Sequence, residues 1–313
     1  MKVQKELLYE SGGPIPSCHA STLTFAPDGT LLTAFFGGTK ENADDVEIYL
    51  CRRTDSGWSE PQRMSVPSGD PTWNPVLFTD GDAVHLWYKR FRPIARWRTF
   101  TRILRDGVWS EERELIPEDR SGGRGPVKNK PIRLSDGTIL AGASHESEDG
   151  KTWRAFADLS RDGGKTWTRT DYVPAPAGVK LIQPAVWQSE EGVHMLLRSD
   201  AGFIYRSDSA DGGQNWCRAY PTDLPNNNSG LDAVRMSDGT LALVCNPVAA
   251  NWGARTPLTL FLSRDNGRTW ERAADLETEP GEYSYPAVIS RDGELHITYT
   301  YRRKTVAYCR VTL

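Results

Sequence analysis

One sequence unit recurs every 47 to 56 residues along the whole chain, and few folds accommodate a period of that size. Each copy has a polar residue, a small residue or proline, an apolar run, a turn containing glycine and a second apolar run. The six copies are CHASTLTFAPDGTLLTAFFG, WNPVLFTDGDAVHLWYK, NKPIRLSDGTILAGASH, IQPAVWQSEEGVHMLLRS, LDAVRMSDGTLALVCNP and YPAVISRDGELHITYTY, with turn glycines at Gly29, Gly81, Gly137, Gly192, Gly239 and Gly293. A second repeat is interleaved with the first. The pattern Ser-x-Asp-x-Gly-x-x-Trp runs from Ser160 to Trp167, from Ser209 to Trp216 and from Ser263 to Trp270, and shorter forms end at Trp58 and Trp109. Asp and Gly at these offsets suit a tight turn, because the carboxylate accepts nearby backbone N–H groups and Gly tolerates positive φ. The Trp can then pin the turn to the core.

Each unit therefore reads as strand, turn, strand, loop, strand, Asp-containing turn, strand. That is one four-stranded antiparallel blade, and six of them predict an all-β, six-bladed β-propeller occupying residues 1–313 as one domain. The sixth copy ends after three strands. The opening residues VQKELLY are expected to supply its outer strand and close the ring.

Repetition also sorts residues by face. Both kinds of turn fall on one side of the disc, leaving the starts of the innermost strands and the ends of the second strands for the other. The first-strand openers are His19, Asn74, Lys130, Gln183, Asp232 and Tyr285, all polar. Second-strand ends add Lys89, His145, Arg198, Asn246 and Arg302. Lys128 and Lys130, two residues apart, are expected to share one side of a strand and bring positive charge toward the channel. Trp73, Trp97, Trp153 and Trp252 lie outside the turn motifs and offer stacking surfaces for sugar rings. Asn228, Ser229 and Asp232 in LPNNNSGLD are hydroxyl-binding candidates or simply a turn.

With 38 Lys+Arg against 41 Asp+Glu, the net charge of −3 provides no broad field for nucleic acid or an anionic membrane, so neither is expected as a partner. Five scattered cysteines without a CxxC pair suggest reduced structural thiols, and no metal site or cofactor is expected. MKVQKELLYE lacks the apolar core of a signal peptide, and a cytoplasmic location is expected. Oligomeric state is not legible.

These segments resemble the sialidase superfamily, specifically its BNR or Asp-box proteins, over essentially the full chain. CHASTLTFAPDGTLLTAFFG is similar to the sialidase opening that normally reads Phe-Arg-Ile-Pro, and ADDVEIYLCRR to the stretch carrying the acid/base aspartate. QPAVWQSEEGVHMLLR resembles the glutamate-to-arginine stretch, NWGARTPLTLFLSRDNGRTW the third-arginine segment, and GEYSYPAVI the segment holding the nucleophilic tyrosine. The resemblance implies that Arg198 and Arg255 grip a substrate carboxylate, that Tyr283 or its neighbour Tyr285 is the nucleophile, and that Asp44 or Asp45 is the acid/base. Asn74, Gln183, Lys128, Lys130 and Asp232 complete the expected binding surface.

Two departures from the family pattern bear on chemistry. His19 stands where the first clamp arginine is expected, and Gln183 where a glutamate would activate the tyrosine. A phenol ionises only near pH 10, and Gln is no base, whereas His19 can titrate near neutrality. The expected function is a sialidase-like glycoside hydrolase acting on a carboxylate-bearing sugar, an α-keto acid sugar or a uronate. Alternatives are a uronate-directed lyase working by β-elimination, with His19 or a tyrosine as base, and a noncatalytic glycan-binding propeller.

Overall fold

A computed structural model describes residues 1–313, and its strands form six separate antiparallel sheets. Blade 1 comprises Ser17–Phe25, Leu31–Gly38, Glu47–Thr54 and Gly57–Trp58, with Gln62–Arg63 added beside the third strand. Blade 2 comprises Thr72–Asp80, Ala83–Arg90, Arg98–Arg105 and Val108–Trp109, with Arg113–Glu114 added in the same way. Blades 3 and 4 follow as Ile132–Arg133, Ile139–Glu146, Trp153–Ser160, Thr168–Arg169 and then Leu181–Ser189, Gly192–Ser199, Phe203–Ser209, Tyr220–Pro225. Blade 5 is Asp232–Arg235, Leu241–Cys245, Leu258–Ser263 and Glu271–Glu277; blade 6 is Tyr283–Arg291, Glu294–Tyr301 and Thr305–Thr312. The only helical segment is a single 3₁₀ turn, Ile94–Arg96. No helix is long and apolar enough to cross a membrane.

Lys2–Leu7 pairs antiparallel with Thr305–Thr312, from Lys2 opposite Thr312 to Leu7 opposite Ala307. The ring is thus closed by the N-terminal strand, as the repeat count requires. Closure removes a free sheet edge, which otherwise presents unpaired N–H and C=O groups. Burial falls from the channel outward: Leu31–Gly38 is buried at every position, whereas Lys2–Leu7 is mostly exposed.

The Asp-containing turns join third and outer strands. In the first, the Asp162 carboxylate accepts the N–H groups of Lys165 (3.1 Å) and Thr166 (2.9 Å) and the hydroxyl of Ser160 (2.9 Å). These donors stabilise the anion and draw its pKa down to about 2. Asp211 and Asp265 repeat the arrangement. A Cβ on Gly213 would run into Leu140, so close packing of the turn on its neighbour demands glycine there. Trp167 and Trp216 are buried between blades. One surface groove combines the Asp238–Gly239 turn with the Asp265–Arg268 turn, so both turn types occupy one face.

Candidate active site

Irregularity at the innermost strands makes the site. Pairing with the second strand shifts between His19 and Thr22, Trp73 and Val76, Ile182 and Ala185, and Ser284 and Ala287. A bulge re-aims the side chain it carries. Left-handed φ values mark Ala20, Asn74, Lys128, Gln183, Asn228 and Tyr285, one at or just before the innermost strand of each blade. The preceding blade holds some of these bulges: Thr300 Oγ1 accepts the N–H of Ala20 at 3.2 Å, and Ser144 Oγ that of Gln183 at 3.3 Å.

Tyr285 is the centre. Its hydroxyl accepts hydrogen bonds from Arg198 Nη1 at 2.7 Å and Gln183 Nε2 at 3.4 Å. Its ring lies 4.2 Å from that of His19 and 5.6, 5.8 and 5.9 Å from the cationic groups of Arg255, Arg198 and Lys128. Arg198, 3% exposed, is held by Asn228 Oδ1 (2.8 Å) and Gln183 Oε1 (3.2 Å), and its guanidinium lies 5.5 Å from the rings of both Trp153 and Trp252. Arg255 donates Nη1 to Glu282 (2.8 Å) and Ser284 (3.0 Å). Nη2 of Arg198 and of Arg255 donates to no protein group, which leaves two guanidinium edges available for an anion.

His19 is buried, with Nδ1 2.8 Å from Thr300 Oγ1. Burial, reinforced by Arg303, Arg255, Arg198 and Lys128, holds its pKa well below the ordinary value, so at neutral pH the ring is uncharged. His19 therefore packs against Tyr285 and is a poor proton acceptor.

Several sequence expectations need correction. Tyr283 does not face the channel: the bulge between Ser284 and Ala287 breaks the alternation, so Tyr283 turns into the blade 6 core while Tyr285 turns outward. The Tyr283 hydroxyl accepts from Arg302 Nε at 2.9 Å, and Arg303 rather than Arg302 joins the site. Asp44 is exposed and ion-paired with Arg92, and Asp45 accepts Thr39 N–H at 2.9 Å; both line a groove with Pro14–Pro16 and Arg63 that does not include Tyr285. Local and cross-blade partners hold this acidic loop, so both carboxylates are already engaged. Lys128 and Lys130 precede the short strand Ile132–Arg133 and are not on it.

Their amines do turn inward, but onto protein. Lys128 Nζ donates to Asn129 Oδ1 (2.8 Å), Leu231 O (2.8 Å) and Pro286 O, and burial lowers its pKa to about 7. Lys130 Nζ donates to Asp232 Oδ2 at 2.9 Å, and the same carboxylate oxygen accepts Val288 N–H at 2.9 Å. Lys128, Lys130 and Asp232 thus stitch blades 3, 5 and 6 together beneath the pocket, and their donors and acceptors are occupied. Asn74 sits at its bulge with its amide unbonded to protein and can face a ligand.

Three contributors were not singled out from sequence. Arg303 pairs with Glu41 at 2.6 Å and shares Glu282 with Arg255, placing a third guanidinium beside His19. Glu282 is one residue before Tyr283 and carried no motif. Glu146 ends the second strand of blade 3, opposite Trp153, with no hydrogen-bond partner; burial raises its pKa, and Arg198 and Lys180 only partly offset this. A carboxyl so placed can retain a proton for donation. No group of three or more His, Cys, Asp or Glu side chains converges as a metal site.

Solved structures share this architecture. A protein of unknown function from Dyadobacter fermentans superposes with TM-score 0.81 at 15% identity, covering 98% of each chain. The Hadza microbial sialidase Hz136 gives 0.82 at 17% identity, over 99% of this chain and 68% of that one. Trypanosoma rangeli sialidase in complex with sialic acid gives 0.75 at 14% identity over 99% of this chain, which spans 59% of that protein's length. No curated protein matches by sequence. The BNR repeat-like domain model matches residues 29–297, which with six closed blades and three complete Asp-containing turns makes the chain a member of the BNR repeat-like family, with a sialidase-like propeller.

Proposed function

We propose that the protein is a glycosidase that holds a carboxylate-bearing sugar above Tyr285. The observation carrying this reading is the Tyr285 hydroxyl, 2.7 Å from Arg198 and ringed by Arg255, Lys128 and neutral His19, with free guanidinium edges on Arg198 and Arg255. A substrate carboxylate can take paired N–H···O bonds from those edges, fixing the sugar over the phenol. Arg198 Nη1 and Gln183 Nε2 hold the Tyr285 phenol beside the anomeric carbon. The bond from that carbon to the glycosidic oxygen breaks as Glu146 protonates the oxygen, water bonds to the carbon, and the proton that this water releases returns to Glu146.

Elimination would require a base to remove a carbon-bound proton. The bases named for it are His19, whose burial among cations opposes the imidazolium it would have to become, and a tyrosine, whose phenol must first lose its own proton. Hydrolysis is favoured for that reason. One observation supports a noncatalytic glycan-binding role instead: no carboxylate contacts the Tyr285 hydroxyl, where Gln183 stands. Incubation with 4-methylumbelliferyl α-sialoside and glucuronide, and with 4-O-linked oligogalacturonates, in ¹⁸O-labelled water separates the readings. Hydrolysis releases the fluorophore or a shorter saccharide and labels the sugar, elimination expels the 4-linked sugar and leaves an ultraviolet-absorbing alkene, and binding alone gives affinity without product.

A further inference from the structure

Beside the pocket, on the same face, a groove of about 510 Å³ runs between the third strand of blade 3 and the segment entering blade 4. Its lining includes Lys151, Arg154 and Lys180 and no carboxylate. Arg154 has no acidic partner, Lys180 donates only to the backbone oxygen of Gly150 at 3.0 Å, and Lys151 is 3.6 Å from Asp149. The walls are Trp153, with the Lys180 amine 5.3 Å from its ring, and Tyr172, with the Arg154 guanidinium 5.2 Å from its ring. Trp153 also lies 5.5 Å from Arg198, so one indole borders both the pocket and the groove.

A volume of this size, with aromatic walls and three cations, matches one pyranose ring bearing an anionic group. We infer that the groove is a second acidic-sugar subsite, binding the unit next to the one above Tyr285. The preferred ligand is then an oligosaccharide with consecutive charged units, not an isolated acidic sugar. This rests on the proposed carboxylate-sugar pocket.

The test is calorimetric titration with two ladders of one to four units, oligogalacturonates and α2,8-linked oligosialates, against wild type and a Lys151→Ala/Arg154→Ala double variant. These side chains are exposed, so the variant is expected to fold, and a melting curve checks this. In the ladder that binds, wild-type affinity rises about tenfold or more from one unit to two. The double variant loses that rise. Equal affinity for one and two units, or a rise that survives the double substitution, overturns the subsite while leaving the Tyr285 pocket standing. Failure of every member to bind, single units included, overturns the pocket reading and the subsite with it.

Discussion

Tyr283 and Tyr285 are two residues apart, and the bulge between Ser284 and Ala287 gives them opposite consequences on substitution. Tyr283 is fully buried in a core with Leu258, Val288 and Tyr299. Tyr283→Ala should cost about 3–5 kcal/mol, a fall of roughly 6–20 °C in Tm. Tyr283→Phe keeps the ring and loses only the contact with exposed Arg302, so both stability and ligand response should stay near wild type. Tyr285→Phe leaves Arg198 bonded to Gln183 and Asn228, limiting the stability loss to about 1 kcal/mol. Its effect on turnover should be far larger, about 10²–10⁴-fold if the hydroxyl takes part in bond cleavage. If that hydroxyl only binds sugar, the loss is about tenfold in affinity. Calorimetric melting and initial rates on the cleaved glycoside, for all three variants, give the comparison. A Tyr283→Phe enzyme as impaired as Tyr285→Phe would refute the assignment of Tyr283 to the blade core.

Arg198→Ala and Arg255→Ala should each weaken binding of an acidic sugar by about 2 kcal/mol, near thirtyfold, and wild type should discriminate similarly against the sugar's amide; equal binding of acid and amide removes the clamp. Deleting residues 2–8 takes away buried Leu8 and the Lys5 partner of Glu277, 2.9 Å apart. With the ion pair discounted because the Lys5 side chain is 40% exposed, the loss is about 3–5 kcal/mol, and a Tm within 2 °C of wild type contradicts the closure energetics. Glu146 has a folded pKa raised above its ordinary value of about 4.5, so its stabilising contribution is complete below that pH and is lost as pH rises through the folded value. Glu146→Gln should therefore match wild type near pH 4 and exceed it at pH 7.5; a Gln variant less stable at pH 7.5 shows that the ionised carboxylate is stabilised.

The architecture was legible because each blade repeats the same local chemistry: the turn glycines keep step, Asp162, Asp211 and Asp265 occupy equivalent turns, and Lys2–Leu7 supplies the missing strand. The pocket was legible in part. Gln183, Asn74 and Tyr285 carry the left-handed φ at the openings where the repeat placed them, whereas in blades 3 and 5 the left-handed residues are Lys128 and Asn228 rather than Lys130, although proline follows it too, and Asp232. Hydrophobic alternation carries no sign of a single left-handed residue, and one such residue exchanges the faces of its neighbours. That is why Arg302 was expected where Arg303 is found, and why the resemblance could offer Tyr283 beside Tyr285, which the repeat already placed at the opening of its strand. Long-range pairs are invisible for a different reason: Asp44 meets Arg92 and Glu41 meets Arg303 only once neighbouring blades are docked.

The two departures from the sialidase pattern fit one electrostatic logic. Arg198, Arg255, Arg303 and Lys128 crowd around Tyr285 and His19, while Glu282 is shared by Arg255 and Arg303 and Glu41 occupies the outer edge of Arg303. Arg198 has no carboxylate of its own; its partners are the neutral Asn228, Gln183 and Tyr285. A glutamate at position 183 would lie within reach of Arg198 Nη1, as Gln183 Oε1 does at 3.2 Å, and would satisfy that guanidinium internally. A charged histidine at position 19 would add a fifth cation that burial disfavors, and the neutral ring avoids it. Gln183 and neutral His19 therefore leave the positive charge of Arg198 unspent in the unliganded pocket. An incoming carboxylate meets a desolvated guanidinium with a free Nη2 edge, the condition under which a charge-assisted pair contributes most to binding. The glutamine that weakens the case for base activation thus strengthens the case for carboxylate recognition at this site.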